Sequence, residues 1–91
     1  MTNMEKMIDN LYEAQDNNEI VTLSYFINGG GFCVDVTVVP DVMVIGNWIE
    51  ITDKLNHNVN ISFSLDKYVG FDPETEEYSI EMDDAVIVIS S

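Results

Sequence analysis

A chain of 91 residues with 17 Asp and Glu, three Lys and no Arg has a formal net charge of −14, which phosphate backbones and anionic bilayers repel and which argues against direct nucleic-acid or membrane partners. Its apolar content of 46%, with one Trp, four Tyr and four Phe, exceeds what a disordered acidic chain carries, so composition predicts one small folded domain over residues 1–91. The single cysteine, Cys33, leaves no internal disulfide, and the N-terminal MTNMEKMIDN lacks the basic region and apolar run of a signal peptide, so the expected location is the cytoplasm.

Thr2-Asn3-Met4-Glu5 has the form of a capping box and precedes Met4, Met7, Ile8, Leu11 and Ala14 at helical spacing, which predicts a helix over about 3–16. Its other face carries Glu5, Asp9 and Glu13 at i, i+4 and i+8. Like charges so placed each cost a few tenths of a kcal/mol, so local helix energetics do not select this stripe. Asn17-Asn18 ends the helix, and from Ile20 the apolar period changes to two. Val21, Leu23, Tyr25 and Ile27 share one strand face. Asn28-Gly29-Gly30-Gly31 forms a turn into Phe32–Val39, where Phe32, Val34, Val36 and Val38 alternate with Cys33, Asp35 and Thr37. A phosphate-binding Gly loop would open a helix, whereas a β pattern follows here. Cys33 has no neighbouring His or second Cys and is expected as a small, partly buried thiol.

Pro40 marks a break, and Gly46-Asn47 between Val42–Ile45 and Trp48–Thr52 suits a two-residue type II′ hairpin. If Ile49 and Ile51 face the core, Trp48 faces outward as a candidate interface anchor. Asp53–Asn58 is a loop holding the lone His57. Val59, Ile61, Phe63 and Leu65 alternate with Asn60, Ser62 and Ser64 in a further strand. Tyr68–Phe71 and Tyr78–Met82 read as a hairpin, and the uninterrupted Ala85–Ile89 should lie centrally or be covered on both faces. The predicted class is α+β: an N-terminal helix, then across about 20–89 a strongly bent antiparallel sheet or small Sm/SH3-like barrel of five to seven strands.

The densest charge is in Asp72–Asp84, DPETEEYSIEMDD, where Asp72, Glu74, Glu76, Glu77, Glu81, Asp83 and Asp84 accompany Tyr78, Ile80 and Met82 at spacing two. A folded strand that displays carboxylates differs from an acidic tail. Alternate side chains on one strand face lie about 6.6–6.8 Å apart, close to twice the axial phosphate repeat of a nucleic-acid strand. Asp72, Glu74 and Glu76 form one such set if the strand continues through the turn; Glu77, Glu81 and Asp83 form another. Asp72, Glu74, Glu76 and Asp83 also fall at positions 1, 3, 5 and 12 of a calcium-loop count. Position 6 is Glu77 instead of Gly, position 12 is Asp, and the flanks are β, so no metal site is assigned. Acid on an edge strand can also serve only to prevent sheet-to-sheet pairing.

Leu11-Tyr12-Glu13-Ala14, Val21-Thr22-Leu23-Ser24-Tyr25, Val39-Pro40, Asn47-Trp48-Ile49-Glu50-Ile51 and Ser62-Phe63-Ser64-Leu65-Asp66 follow one another in the order and approximate spacing of a WYL-type domain. The resemblance covers residues 11–71, with Trp48-Ile49-Glu50 at the naming tripeptide, and implies an Sm-like barrel. The family's best-known members resemble ligand-sensing modules that present basic residues near the Phe strand to nucleic acid or nucleotide. Asn60, Ser62 and Ser64 occupy those positions here, so the fold is carried over and the ligand is not.

One His, one Cys, no Arg and no nucleophile–base pair give no catalytic signature and no cofactor motif. The expected activity is that of a small acidic inhibitor, a nucleic-acid mimic that occupies the basic surface of a nucleic-acid-binding protein or nuclease. By composition alone the chain resembles phage anti-CRISPR and DNA-mimic proteins. The expected contact residues are the seven carboxylates of the hairpin, then Glu5, Asp9, Glu13 and Trp48. The alternative is a non-catalytic Sm-like interaction module that docks or forms a homodimer through an apolar edge and Trp48.

Overall fold

A computed structural model describes residues 1–27 and 31–90. One helix, α1 (Asn3–Asn17), precedes eight strands: β1 (Val21–Ile27), β2 (Phe32–Val38), β3 (Pro40–Ile45), β4 (Trp48–Asp53), β5 (Asn60–Ser64), β6 (Val69–Asp72), β7 (Glu77–Glu81) and β8 (Ala85–Ser90). The strands form two antiparallel sheets, β2-β1-β8-β7-β6 and β3-β4-β5. The α+β class expected from the sequence is therefore present. The strand count exceeds the expected five to seven: the hairpins read at Val42–Thr52 and Tyr68–Met82 each contribute two strands. The turn expected over Asn28–Gly31 lies outside the described residues except for Gly31; β1 and β2 on either side of it pair antiparallel from Val21↔Val38 to Ile27↔Phe32.

The helix begins where its capping chemistry says it should. Thr2 Oγ1 accepts from the Glu5 amide at 3.1 Å, and Glu5 Oε1 accepts from the Thr2 amide at 3.1 Å. These hydrogen bonds from Thr2 hold the Glu5 carboxyl below its ordinary pKa. At the other end Asn18 takes a left-handed conformation (φ 53°) and donates its amide to the Ala14 and Gln15 carbonyls. Lys54 Nζ reaches the Gln15 carbonyl at 2.6 Å and Asn18 Oδ1 at 2.9 Å, placing a cation at the negative end of the helix. Met7, Leu11 and Ala14 are buried from α1.

Both flanks of α1 are tied down. On one, Gln15 Oε1 accepts from the Val42 amide of β3 at 2.6 Å. On the other, Asn3 Nδ2 donates to the Val69 carbonyl at 3.0 Å and Asn10 Nδ2 to the Tyr78 hydroxyl at 3.1 Å. The helix thus spans from the small sheet to the β6–β7 hairpin of the large one. One apolar cluster joins all three layers, with Val42, Ile49, Ile51 and Phe63 from the small sheet and Leu23, Ile80, Ile87 and Ile89 from the large one. β8 lies between β1 and β7, as its unbroken apolar run suggested, and buries alternate residues.

The corner between β2 and β3 is held by Asp53. Its buried carboxylate accepts from the Val39 and Leu55 amides through Oδ1, at 3.1 Å each. Gly46, with φ 57°, is the first of two loop residues between Ile45 and Trp48, while Asn47 keeps negative φ, as a type II′ turn requires. Of the β2 face shared by Phe32, Val34, Val36 and Val38 only Val38 is buried, and Phe32 and Val34 are exposed because the β1–β2 hairpin runs past the core. One expectation needs correction. Cys33 is likewise exposed and not partly buried, and its thiol donates to Asp35 Oδ1 at 3.4 Å. Desolvation, that hydrogen bond and the Asp35 charge raise its pKa.

Candidate functional site

The acidic hairpin is formed by β6 and β7, with Val69↔Ile80 and Phe71↔Tyr78 in register. Its alternation buries Tyr78 and Ile80, which fixes Glu77, Ser79 and Glu81 on the opposite face of β7. Asp72 and Glu77 stand directly across from each other, a like-charge pair that weakens the hairpin by a few tenths of a kcal/mol. The turn closes nonetheless, because Asp72 Oδ1 accepts from the Glu74 amide at 2.9 Å and the Asp72 carbonyl accepts from the Glu76 amide at 2.7 Å. Glu76 closes it in a left-handed conformation, φ 58°, which Gly or Asn usually fills.

This turn interrupts the spaced carboxylate array expected from the sequence. Pro73–Glu76 form the turn, so Asp72, Glu74 and Glu76 do not line one extended face. On β7 only Glu77 and Glu81 keep strand spacing, about 13 Å apart across four residues. Asp83 and Asp84 lie beyond the strand end, where Asp83 pairs with Lys67 at 3.3 Å, the one salt bridge among the described residues. Among the described residues no group of three or more His, Cys, Asp or Glu could hold a metal ion.

What the fold brings together is different. A cleft of about 350 Å³ opens between the C-terminal half of α1 and the hairpin, and Glu13, Glu19 and Glu76 line it. Met7, Leu11 and Ile89 also border it but are almost wholly buried. Phe71 and Tyr78 supply an aromatic wall, their ring centroids 4.7 Å apart at 41°. The helix stripe and the hairpin block, separate in sequence, thus meet at Glu13 and Glu76. The bonds from Asn3 and Asn10 to the hairpin set that approach.

The other expected residues lie around the cleft or away from it. Asp9 is exposed on α1, and Glu5 is in the capping box, about 12 Å along the helix from Glu13. Glu74 is exposed in the turn; Glu81, Asp83 and Asp84 stand at the far end of β7. Trp48 belongs to another surface. It is 57% exposed at the start of β4 and borders a smaller hollow of about 160 Å³ with Met43, Ile45 and Ser62. Buried Ile49 and Ile51 put it outward, as expected. Sequence reasoning missed Glu19, which follows the left-handed Asn18 and has no periodic partner, and read Phe71 and Tyr78 only as strand residues.

The cleft lining offers carboxylates, an amide and a phenol beside hydrocarbon, which is chemistry for holding a cation. No helix among the described residues is long and apolar enough to cross a membrane. No protein-family model, curated protein or solved structure matches the chain.

Proposed function

We propose that this chain is a non-catalytic inhibitor that binds a basic protein and occupies the surface on which that partner holds nucleic acid, acting in the cytoplasm. Counter-defence of the anti-CRISPR kind is the setting that suits a small, single-domain chain of this acidity. The observation that carries the reading is the meeting of Glu13 from the helix stripe with Glu76 from the hairpin on one cleft, beside Glu19. Mimicry here rests on charge density over a folded surface and not on regular phosphate-like spacing. The fold is read as an Sm-like small barrel of WYL type whose usual basic positions are Asn60, Ser62 and Ser64.

Pulldown from a lysate, eluted by salt and then by duplex DNA, tests the proposal. The partner is expected to elute with DNA in competition and to be lost when Glu74, Glu76 and Glu77 are changed to Lys. Unchanged capture by that triple variant refutes it.

A second reading is favoured by the exposed Met43, Ile45 and Trp48 at the β3–β4 tip. It takes the chain as a structural or regulatory module that docks, or forms a homodimer, through this apolar surface, with its charge serving solubility. Salt separates the two, because charge-driven binding weakens with ionic strength while apolar association persists or tightens. Light scattering at low and high salt reads the difference.

A further inference from the structure

The cleft between α1 and the hairpin has features that acidity alone does not explain. Three carboxylates border it, yet they do not converge as a metal site would, since among the described residues no group of three such side chains could hold an ion. The accessible apolar surface beside them is the Phe71 ring, 40% exposed against a buried Tyr78, since Met7 and Leu11 are almost wholly covered. Separated carboxylates beside an exposed aromatic ring disfavour a compact, strongly hydrated ion, which would lose its water there without gaining a full set of ligands. They suit a cation carried at the end of an aliphatic stem, whose methylenes cover apolar surface while the charged head stays at the rim.

We propose that this cleft is a binding site for a cationic side chain, arginine in preference to lysine, supplied by the basic partner; this rests on the reading of the acidic surface given above. At about 350 Å³ the cleft is near the lower end of small-ligand pockets, which suits one side chain and not a folded element. Arginine is favoured for two reasons. Its guanidinium plane can lie on the exposed Phe71 ring, where an ammonium has only its point charge to offer. Its forked donors can also serve two separated carboxylates at once, and Glu13, Glu19 and Glu76 border the same cleft. The Asn10 bond to the Tyr78 hydroxyl holds the helix wall against the aromatic wall, so the cleft is built before a ligand arrives.

The test is a titration of the isotope-labelled full chain, followed through its amide signals, with five probes: N-acetyl-arginine methylamide, its neutral citrulline counterpart, the lysine counterpart, spermidine and an oligoarginine, acetyl-triarginine amide, that matches spermidine in charge. A lysine probe that binds as tightly as the arginine one overturns the preference for arginine. The arginine probe is expected to shift Leu11, Ala14, Val21 and Tyr78, and citrulline to bind at least about tenfold more weakly. Phe71→Leu should weaken the arginine probe about fivefold. If that variant loses its folded spectrum, Glu13→Gln and Glu19→Gln on the wild-type scaffold give the same reading through charge alone. Spermidine binding as tightly as an arginine peptide of equal charge overturns the side-chain source in favour of a free polyamine. Oligoarginine that shifts only Glu77, Glu81 and Asp83 overturns the cleft and leaves the acidic-surface reading standing. Oligoarginine that does not bind at all at low salt overturns both.

Discussion

Glu76 offers a perturbation whose effects on stability and on binding should have opposite signs. It occupies a left-handed position, φ 58°, at the end of a turn and also lines the cleft. An L-residue with a long side chain held there loses about 1–2 kcal/mol relative to right-handed backbone, and Asn recovers part of that because it visits the region far more readily. Glu76→Asn is therefore expected to stabilise the fold by roughly 0.5–1 kcal/mol through backbone relief. Unlike Gly, it adds little freedom to the unfolded chain. Removing one of several neighbouring negative charges contributes a few tenths more, as for any exposed pair. Glu74→Gln isolates that charge term, since Glu74 sits in the same turn without positive φ. Urea unfolding of the three proteins should place Glu76→Asn about 1 kcal/mol above wild type, or about 4–8 °C in Tm for a domain this small, with Glu74→Gln well below it. The same Asn variant should bind a cationic probe more weakly. If Glu76→Asn is no more stable than Glu74→Gln, the turn does not hold Glu76 under strain and the account of the hairpin is wrong.

Two further outcomes follow from groups outside the cleft. Asp53→Ala leaves the part-buried Val39 and Leu55 amides without their shared acceptor and should cost about 2 kcal/mol in urea unfolding, whereas Asp53→Asn, which keeps an oxygen there, should cost about 1; a loss under 1 kcal/mol for Ala would show that the corner is held otherwise. Glu5 has its folded pKa depressed, so its contribution is present above the ordinary carboxylate range and lost as pH falls through the folded value. The stability gap between wild type and Glu5→Gln should accordingly be open at neutral pH and close on acidification below about pH 4. A gap that stays constant would mean the capping box gains nothing from the charge. The comparison also cancels the general relief of repulsion that both proteins gain from protonation.

Much of the frame was legible because local chemistry and tertiary structure agree. The capping box at Thr2 and Glu5, the left-handed stop at Asn18 and the Gly46-Asn47 turn are each decided by a few adjacent residues, and each stands where the sequence put it. The alternation of Ile49 and Ile51 likewise placed Trp48 outward. The cleft was not legible in the same way. Its residues come from α1, the α1–β1 connection, the β6–β7 hairpin and β8, and no periodicity relates Glu13 to Glu76 across more than sixty positions. The spaced array failed for a related reason. An alternating acidic run reads as strand whether or not the chain turns within it, and here Pro73 and the Asp72 side-chain bond to the Glu74 amide turn it. The exposure of Phe32 and Val34 was hidden because alternation fixes a face and not how far along the strand that face stays covered.

The distribution of charge between the two edges of the large sheet bears on why the chain is acidic at all. A protein charged only to stay soluble gains most by charging its open edges, where unpaired amides and carbonyls invite another strand. The edges here are β6 and β2. β6 is four residues long, ends in Asp72, leads into Glu74, Glu76 and Glu77, and already has its Val69 carbonyl occupied by Asn3. β2 is seven residues of Phe-Cys-Val-Asp-Val-Thr-Val with a single charge at Asp35, and from Ile20 to Val34 the chain carries no charged side chain. The acid is thus concentrated where pairing is already hindered and sparse where it is not, the reverse of what solubility alone would select. That asymmetry favours recognition as the reason for the carboxylates around the cleft. It also assigns the apolar reading a place, since a partner that bound without regard to salt would find its uncharged surface on β2 and at the Trp48 tip, and Asp35→Lys or Trp48→Ala would then weaken it while Glu13→Gln and Glu76→Gln would not.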